Sequence, residues 1–328
     1  MMNDFLRLNL VGSSPQMERV AAQLRKIAGV DATVLINGET GTGKELAARA
    51  IHYLGARREK PFIPLNCGAL PEQLVESELF GHERGAFTDA KNASPGLVAE
   101  ADGGTLFLDE VDALNYKAQA AILRFLQDHT YRRVGSGVTR QANVRVVAAT
   151  NSRLETLVEQ GRFRRDLMYR LNVLSMQLPP LRERSGDAVE MAQVFLSRFA
   201  HQYRLPEKPL HASALEFIAQ HDWPGNIREL ENMIHREFLM CDTREIHLGG
   251  SKRLAPDAES EGISQFKSAK EKLILDFERR YVRDVLTRVN GNLTHAARLA
   301  GQERSAFGKL ARKHGLSPSS AHSAFDES

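Results

Sequence analysis

The sequence predicts a mixed α/β fold with a mainly parallel sheet, followed by a smaller all-helical domain and a basic all-helical module at the C-terminal end. Three observations predict it. Short apolar runs at 32–37, 105–108 and 144–149 alternate with helical patterns at 44–54 and 116–127, the arrangement of strands joined by crossover helices. From 188 to 241 the apolar residues fall at helical spacing, as at Val189, Ala192, Phe195, Leu196 and Phe199. Between 264 and 316 twelve basic residues stand against five acidic ones, whereas the whole chain of 328 residues has 44 Lys+Arg against 41 Asp+Glu. The predicted division is therefore an α/β unit at 1–176, a helical unit at 177–248, a Gly/Ser-rich linker at 249–263, a basic module at 264–316 and a flexible tail at 317–328.

Composition excludes several classes. A hydrophobic fraction of 42% with 26% charged residues rules out wholesale disorder and fibrous repeats. No apolar stretch approaches the ~18 residues of a membrane span, and the first residues lack the apolar run of a secretory signal. Two cysteines, Cys67 and Cys241, cannot build a disulfide framework. They point to a reducing compartment, so the expectation is a soluble cytoplasmic protein without a membrane partner.

The strand at 32–37 runs into Gly38-Glu39-Thr40-Gly41-Thr42-Gly43-Lys44-Glu45 and then into a helix. This is a phosphate-binding loop in its strand-loop-helix setting. Its glycines let backbone N–H groups converge on phosphate, the helix N-terminus adds a favourable dipole, and Lys44 bridges the outer phosphates. Glu45 stands where a Ser or Thr would otherwise supply a hydroxyl for Mg²⁺. About sixty residues on, an apolar strand delivers Asp109 and Glu110 at its C-terminal end, where ligands of parallel sheets collect. Asp109 is suited to holding Mg²⁺, directly or through water, and Glu110 to deprotonating the attacking water. ATP hydrolysis with Mg²⁺ is the expected chemistry.

Further motifs carry a family resemblance. They are Gly85-Ala86-Phe87-Thr88-Asp89-Ala90, Leu65-Asn66-Cys67, Phe163-Arg164, the LPPLRER run at 178–184 and the WPGNIREL run at 223–230. With these the chain resembles the sigma-54-dependent transcriptional activators, bacterial enhancer-binding proteins of the AAA+ class. The resemblance runs from about Leu10 to His247. It implies a P-loop AAA+ ATPase with a helical lid, self-associated into a ring, typically a hexamer, that remodels sigma-54 RNA polymerase holoenzyme so that promoter DNA opens.

By resemblance, Glu45 is what the family commonly shows after the lysine. Asn66 is the asparagine that restrains Glu110, a turn former being the plainer alternative. Asn151 is the first sensor and Arg228 the second, the latter otherwise a surface ion-pair partner. Arg164 and Arg170 are the pair offered to a neighbouring subunit's ATP. Guanidinium groups suit that role because they stay charged and bind phosphate oxygens bidentately. Gly85–Ala90 corresponds to the loop that contacts the sigma factor, with Phe87 and Thr88 kept. Asp89 replaces a glycine there, adding charge at the tip and restricting positive φ. That departure keeps a second function open: a DNA-binding regulator whose ATPase controls assembly without sigma-54 remodelling. A third class, an AAA+ chaperone or helicase loader, is disfavoured by the same loop. The run 132–136 is either an assisting pore loop or an ordinary hairpin turn.

Beyond the linker, small residues at 294–300, a break at Gly301 and a basic helix from Arg304 read as a helix-turn-helix. It resembles the Fis-type DNA-binding domain of these activators. Double-stranded DNA is then a partner, with Arg304 and Ser305 near base edges and Lys309, Arg312 and Lys313 on phosphates. Gly308 inside that helix costs about 1 kcal/mol relative to Ala. About ten residues precede the predicted ATPase core. The expectation is that no receiver-type regulatory domain precedes it, and that control comes from a partner protein, a ligand, expression level or assembly.

Overall fold

A computed structural model describes residues 10–71, 74–87, 90–241, 243–248, 278, 281–282, 285–286, 289, 292–301 and 304–313. The chain divides into two compact units, 1–252 and 253–328. In the first, helix α1 (Pro15–Ala28) precedes β1 (Val34–Asn37), α2 (Lys44–Tyr53), β2 (Phe62–Asn66), α3 (Val75–Phe80), α4 (Leu97–Glu100) and β3 (Thr105–Asp109). A short 3₁₀ turn (Val111–Ala113) leads to α5 (Tyr116–Asp128), the strands β4 (Thr130–Arg132) and β5 (Thr139–Gln141), then β6 (Arg145–Thr150), α6 (Leu154–Glu159), α7 (Arg165–Leu171) and β7 (Leu174–Gln177). A second 3₁₀ turn (Leu181–Glu183) opens the helical lid of α8 (Asp187–Tyr203), α9 (Ala212–Gln220) and α10 (Asn226–Met240).

The sheet order is β2-β3-β6-β1-β7. Every pairing in it is parallel. Alternation along the strands explains the two covered faces: Leu106 and Leu108 pack with Leu35, Val146 and Ala148 against α5 and α7. Phe107 turns the other way, joining Ile36, Val147 and Ala149 beneath α1 and α2. A parallel sheet buried on both faces needs such near-continuous apolar strands. The fold class expected from sequence is the one observed. Two of its strands are absent from the sequence reading, β2 and β7. Both are edge strands, and β2 carries Pro64, whose missing N–H is tolerable only where one side of a strand has no partner.

Local signals set the helix ends. Ser14 caps α1, its side chain accepting from Met17 N, with Pro15 at the first turn; Asn115 caps α5 by accepting from Ala118 N at 2.8 Å. Both caps use short polar side chains to satisfy N–H groups that the helix itself leaves unpaired. The lid has its own core of Phe195, Phe199, Trp223, Leu230, Ile234 and Phe238. Trp223 is fully buried and donates its indole N–H to Ile218 O at 3.0 Å.

In the second unit, Glu278, Tyr281, Val282, Val285 and Leu286 are helical, followed by α11 (Leu293–Leu299) and α12 (Arg304–Lys313). Gly301 takes φ +64° between the last two helices. Phe307, Ala296, Ala297, Val282 and Ala311 form a small core. The predicted linker at 249–263 and tail at 317–328 lie outside the described residues, as do Thr88, Asp89 and the Arg312 side chain. No helix among the described residues is long and apolar enough to cross a membrane.

Candidate nucleotide site

The C-terminal ends of β1, β3 and β6 converge, and each delivers part of the site. β1 ends in the loop Gly38–Gly43, whose Gly41 and Gly43 take φ +79° and +96°. Only glycine adopts these angles without strain, and a Cβ at Gly41 would also collide with the Gly225 carbonyl of the lid. Lys44, the first residue of α2, is buried and donates Nζ to Gly38 O at 2.9 Å and Glu39 O at 3.2 Å. Burial pulls its pKa down, opposed by the charges of Asp109, Glu110 and Asp112.

β3 delivers Asp109 and Glu110. Desolvation raises the Asp109 pKa, against the pull of the Lys44 charge, and its Oδ1 accepts from Glu110 N at 3.0 Å. Glu110 has φ +54°, a left-handed conformation uncommon for a residue with a side chain. That turn directs its carboxylate over Gly68, where a Cβ would collide with Oε2. Asn66 lies beside it, but its Oδ1 accepts from Gly68 N at 2.8 Å and Ala69 N at 3.0 Å. The structure thus gives Asn66 the turn-forming contacts, and among the described residues no hydrogen bond joins it to Glu110.

β6 ends at Thr150 and presents Asn151, which donates Nδ2 to Thr40 Oγ1 at 3.1 Å. Asp112 completes this corner by accepting from Thr150 Oγ1 (2.7 Å) and Ser152 Oγ (2.9 Å). Sequence reasoning passed over Asp112, although its position two residues past Glu110 was available as a signal.

The lid closes on the loop from above. Arg228, in the first turn of α10, brings its Cβ against Gly41, and its charge is felt at both Lys44 and Asp109. Glu39 has a role its motif position did not suggest: Arg182 grips its two oxygens at 2.5 and 2.9 Å, and Asn226 Nδ2 donates to Oε2 at 3.2 Å. These bonds lower its pKa to about 2, so the carboxylate stays charged throughout the neutral range. Glu45 instead points along α2, pairing with Arg49 at 2.7 Å.

The two arginines of 164 and 170 are at opposite ends of α7. Arg164 caps its start and pairs bidentately with Asp166 at 2.9 and 3.1 Å. Arg170 lines a cavity of about 310 Å³ with Asp31, Arg57, His129 and Arg145, below the N-terminal ends of β1 and β6. The structure does not bring the two side chains together.

Gly85–Ala90 is closed by Gly85 N donating to Ala90 O at 2.9 Å and Ala90 N donating to Phe87 O at 3.0 Å. The Phe87 ring packs edge-on against His82, with centroids 4.9 Å apart. The run 132–136 forms the tip of the β4–β5 hairpin. It holds the loop: Glu83 N donates to Val134 O at 3.0 Å, Val134 N donates to Gly81 O at 2.8 Å, and a Cβ at Gly135 would crowd Ala86. In the second unit Arg304, Ser305, Lys309 and Lys313 are exposed on α12, Lys313 paired with Glu278 at 2.8 Å.

Cys67 lies directly beneath the site, buried, and desolvation pushes its thiol up to about 12. A thiol so placed carries almost no thiolate at pH 8. The expected result is one reactive thiol per folded chain, Cys241, and two after unfolding, counted with a chromogenic disulfide reagent. Two in the folded protein would show that the pocket floor opens.

Against this geometry, the family model for the sigma-54 interaction domain matches residues 10–177, and that for the AAA+ ATPase lid domain matches 182–265. The alginate biosynthesis regulatory protein AlgB of Pseudomonas aeruginosa is 43% identical over 311 residues, covering 94% of this chain and 68% of that protein. The chain belongs to the sigma-54 interaction domain family. The Nif-specific regulatory protein of Azotobacter vinelandii is 51% identical over 233 residues, 71% of this chain and 44% of that protein. Among solved structures, NtrX from Brucella abortus in complex with ATP is similar, with a TM-score of 0.70 and 31% identity, over 96% of this chain and 71% of that one. The family's AAA+ core and lid are therefore the two parts of this chain that meet at Gly41.

Proposed function

We propose that this protein is an ATP-dependent transcriptional activator that binds DNA and, as a ring of its own copies, remodels sigma-54 RNA polymerase holoenzyme to open promoters. The observation that carries the reading is a continuous route from the hydrolytic acids to the Gly85–Ala90 loop. Glu110 and Asp112 flank the start of the 3₁₀ turn that leads into α5, and α5 ends at the hairpin that holds that loop. The family membership and the ATP complex of NtrX support the same reading.

In this mechanism Lys44 and the backbone N–H groups of 40–44 bind phosphate. Among the described residues no group of three or more His, Cys, Asp or Glu could hold a metal by itself. A hard carboxylate at Asp109 nevertheless fits Mg²⁺, which takes one or two carboxylates together with phosphate oxygens and water. The ion, when bound, neutralises developing phosphate charge. Glu110 accepts the proton of the attacking water, Asn151 links that corner to the loop, and Arg228 reports from the lid. Arg164 leaves Asp166 to reach a neighbouring subunit's phosphates, and Arg170 supports that interface from the far end of α7.

Purified protein, ATP and sigma-54 holoenzyme combined on promoter DNA test the proposal. Open complexes that require both ATP hydrolysis and Phe87 support it; hydrolysis without open complexes supports the assembly-switch reading that Asp89 kept open. For α12, Arg312→Ala is expected to weaken DNA binding at all sequences and to lower the slope of log K against log salt by about one. Anisotropy titrations at several salt concentrations check this, and an unchanged slope removes Arg312 from the phosphate contacts. Lys313 is expected to contribute less, because Glu278 already pairs it.

A further inference from the structure

The phosphate loop is braced from outside by the lid at three consecutive peptide groups. Asn226 Nδ2 donates to Thr40 O at 3.1 Å, Ile227 N to Gly41 O at 3.0 Å, and Arg184 Nη2 to Thr42 O at 3.0 Å. In a planar trans peptide the carbonyl of one residue and the N–H of the next point in opposite directions. Holding those three oxygens outward therefore turns the N–H groups of Gly41, Thr42 and Gly43 the opposite way, into the concave side of the loop, where Thr42 N donates to Glu39 O at 3.4 Å. A loop with glycines at 38, 41 and 43 has little stiffness of its own.

We propose that Asn226 and Arg184 are positioning residues that preset the phosphate loop, so that nucleotide affinity depends on the lid being seated. The inference rests on the nucleotide-binding reading above and deepens it. Both side chains are built for the task. Asn226 is fully buried with φ +52°, and its Oδ1 is fixed by Leu181 N at 2.8 Å, which orients Nδ2 toward the loop. Arg184 is also buried, and its Nε is fixed by Pro179 O at 2.9 Å. The Glu39–Arg182 pair joins the same two parts, but it is about two-fifths exposed. Such pairs contribute little, so it is the lesser latch.

The consequence is directional. Seating the lid orients three peptide groups of the loop before the nucleotide arrives, and lifting it releases all three together. Phosphate binding and lid position are thus coupled through backbone orientation, independently of the Arg228 charge.

The test compares Asn226→Ala and Arg184→Lys with the parent by calorimetric titration of ATP, ADP and adenosine, on protein whose folding is followed by thermal melting. The parent must first bind ATP; if it does not, the nucleotide reading itself fails. Given parent binding, Asn226→Ala is expected to bind ATP and ADP about tenfold more weakly, while adenosine, which has no phosphate, binds to both variants as in the parent. In turnover, the loss is expected in KM more than in kcat. Arg184→Lys keeps the charge and one donor, so it is expected to fold even where Asn226→Ala does not, and to show a smaller loss of the same selectivity. Unchanged ATP affinity in a folded variant, or equal loss for adenosine and ATP, overturns the proposal.

Discussion

Glu110→Gln is expected to lower ATP turnover by about 10²–10⁴ while leaving ATP binding intact. The amide has the size of the carboxylate but cannot accept a proton from water. The Lys44 amine keeps its hydrogen bonds to the carbonyls of Gly38 and Glu39 and the charges of Asp109 and Asp112, so the phosphate loop does not rest on the lost charge alone. Removing a negative charge beside phosphates should, if anything, tighten binding. The left-handed turn at Glu110 is a backbone feature that Gln keeps, so the geometry of β3 and the following 3₁₀ turn survives. Steady-state phosphate release and equilibrium ATP titration measure the two quantities separately. Turnover equal to the parent's would remove Glu110 from its role as base; loss of binding alongside turnover would make it a structural residue.

Arg164→Ala is expected to be nearly as damaging, by about 10³ or more in turnover, for a different reason. The guanidinium is partly exposed and its side-chain partner is Asp166; its backbone N–H bonds Gln119. Neither belongs to the phosphate loop of the same chain. The pairing with Asp166 raises the Arg164 pKa and lowers that of Asp166, so both stay charged and the guanidinium is held folded against its own helix. An arginine supplied between subunits predicts complementation. Arg164→Ala subunits keep an intact Glu110, and Glu110→Gln subunits keep an intact Arg164. Mixing the two inactive proteins should therefore restore hydrolysis, measured as phosphate release against mixing ratio. If the mixture stays as inactive as its components, Arg164 acts within its own chain or not at all.

Much of the candidate site is legible in the sequence because its parts are local. The glycine-rich loop, Lys44, the apolar strand and the Asp109–Glu110 pair are each a few consecutive residues whose chemistry follows from their spacing. Asn151 and Arg228 are legible through the resemblance and are found facing the loop. The bracing of that loop was not legible. Its hydrogen bonds span 143 residues from Arg182 to Glu39, 187 from Asn226 to Glu39 and 142 from Arg184 to Thr42. No periodicity connects positions so far apart. Asn66 shows the converse difficulty, since a motif position suggested a partner in Glu110, and the local Gly68 and Ala69 amides engage its oxygen instead.

The sequence by itself determined the fold class, the place of the phosphate loop and the identity of the acids, since these depend on short-range pattern and on which side chains can carry charge. Tertiary structure alone decided that Glu39 would be a latch, that Asn226 and Arg184 would orient the loop's peptides, and that Arg164 and Arg170 would stand at opposite ends of one helix. The physical reason is that a peptide's conformational preferences act over a few residues. The direction of a buried hydrogen bond, by contrast, is set by whichever distant segment the packed cores bring against it.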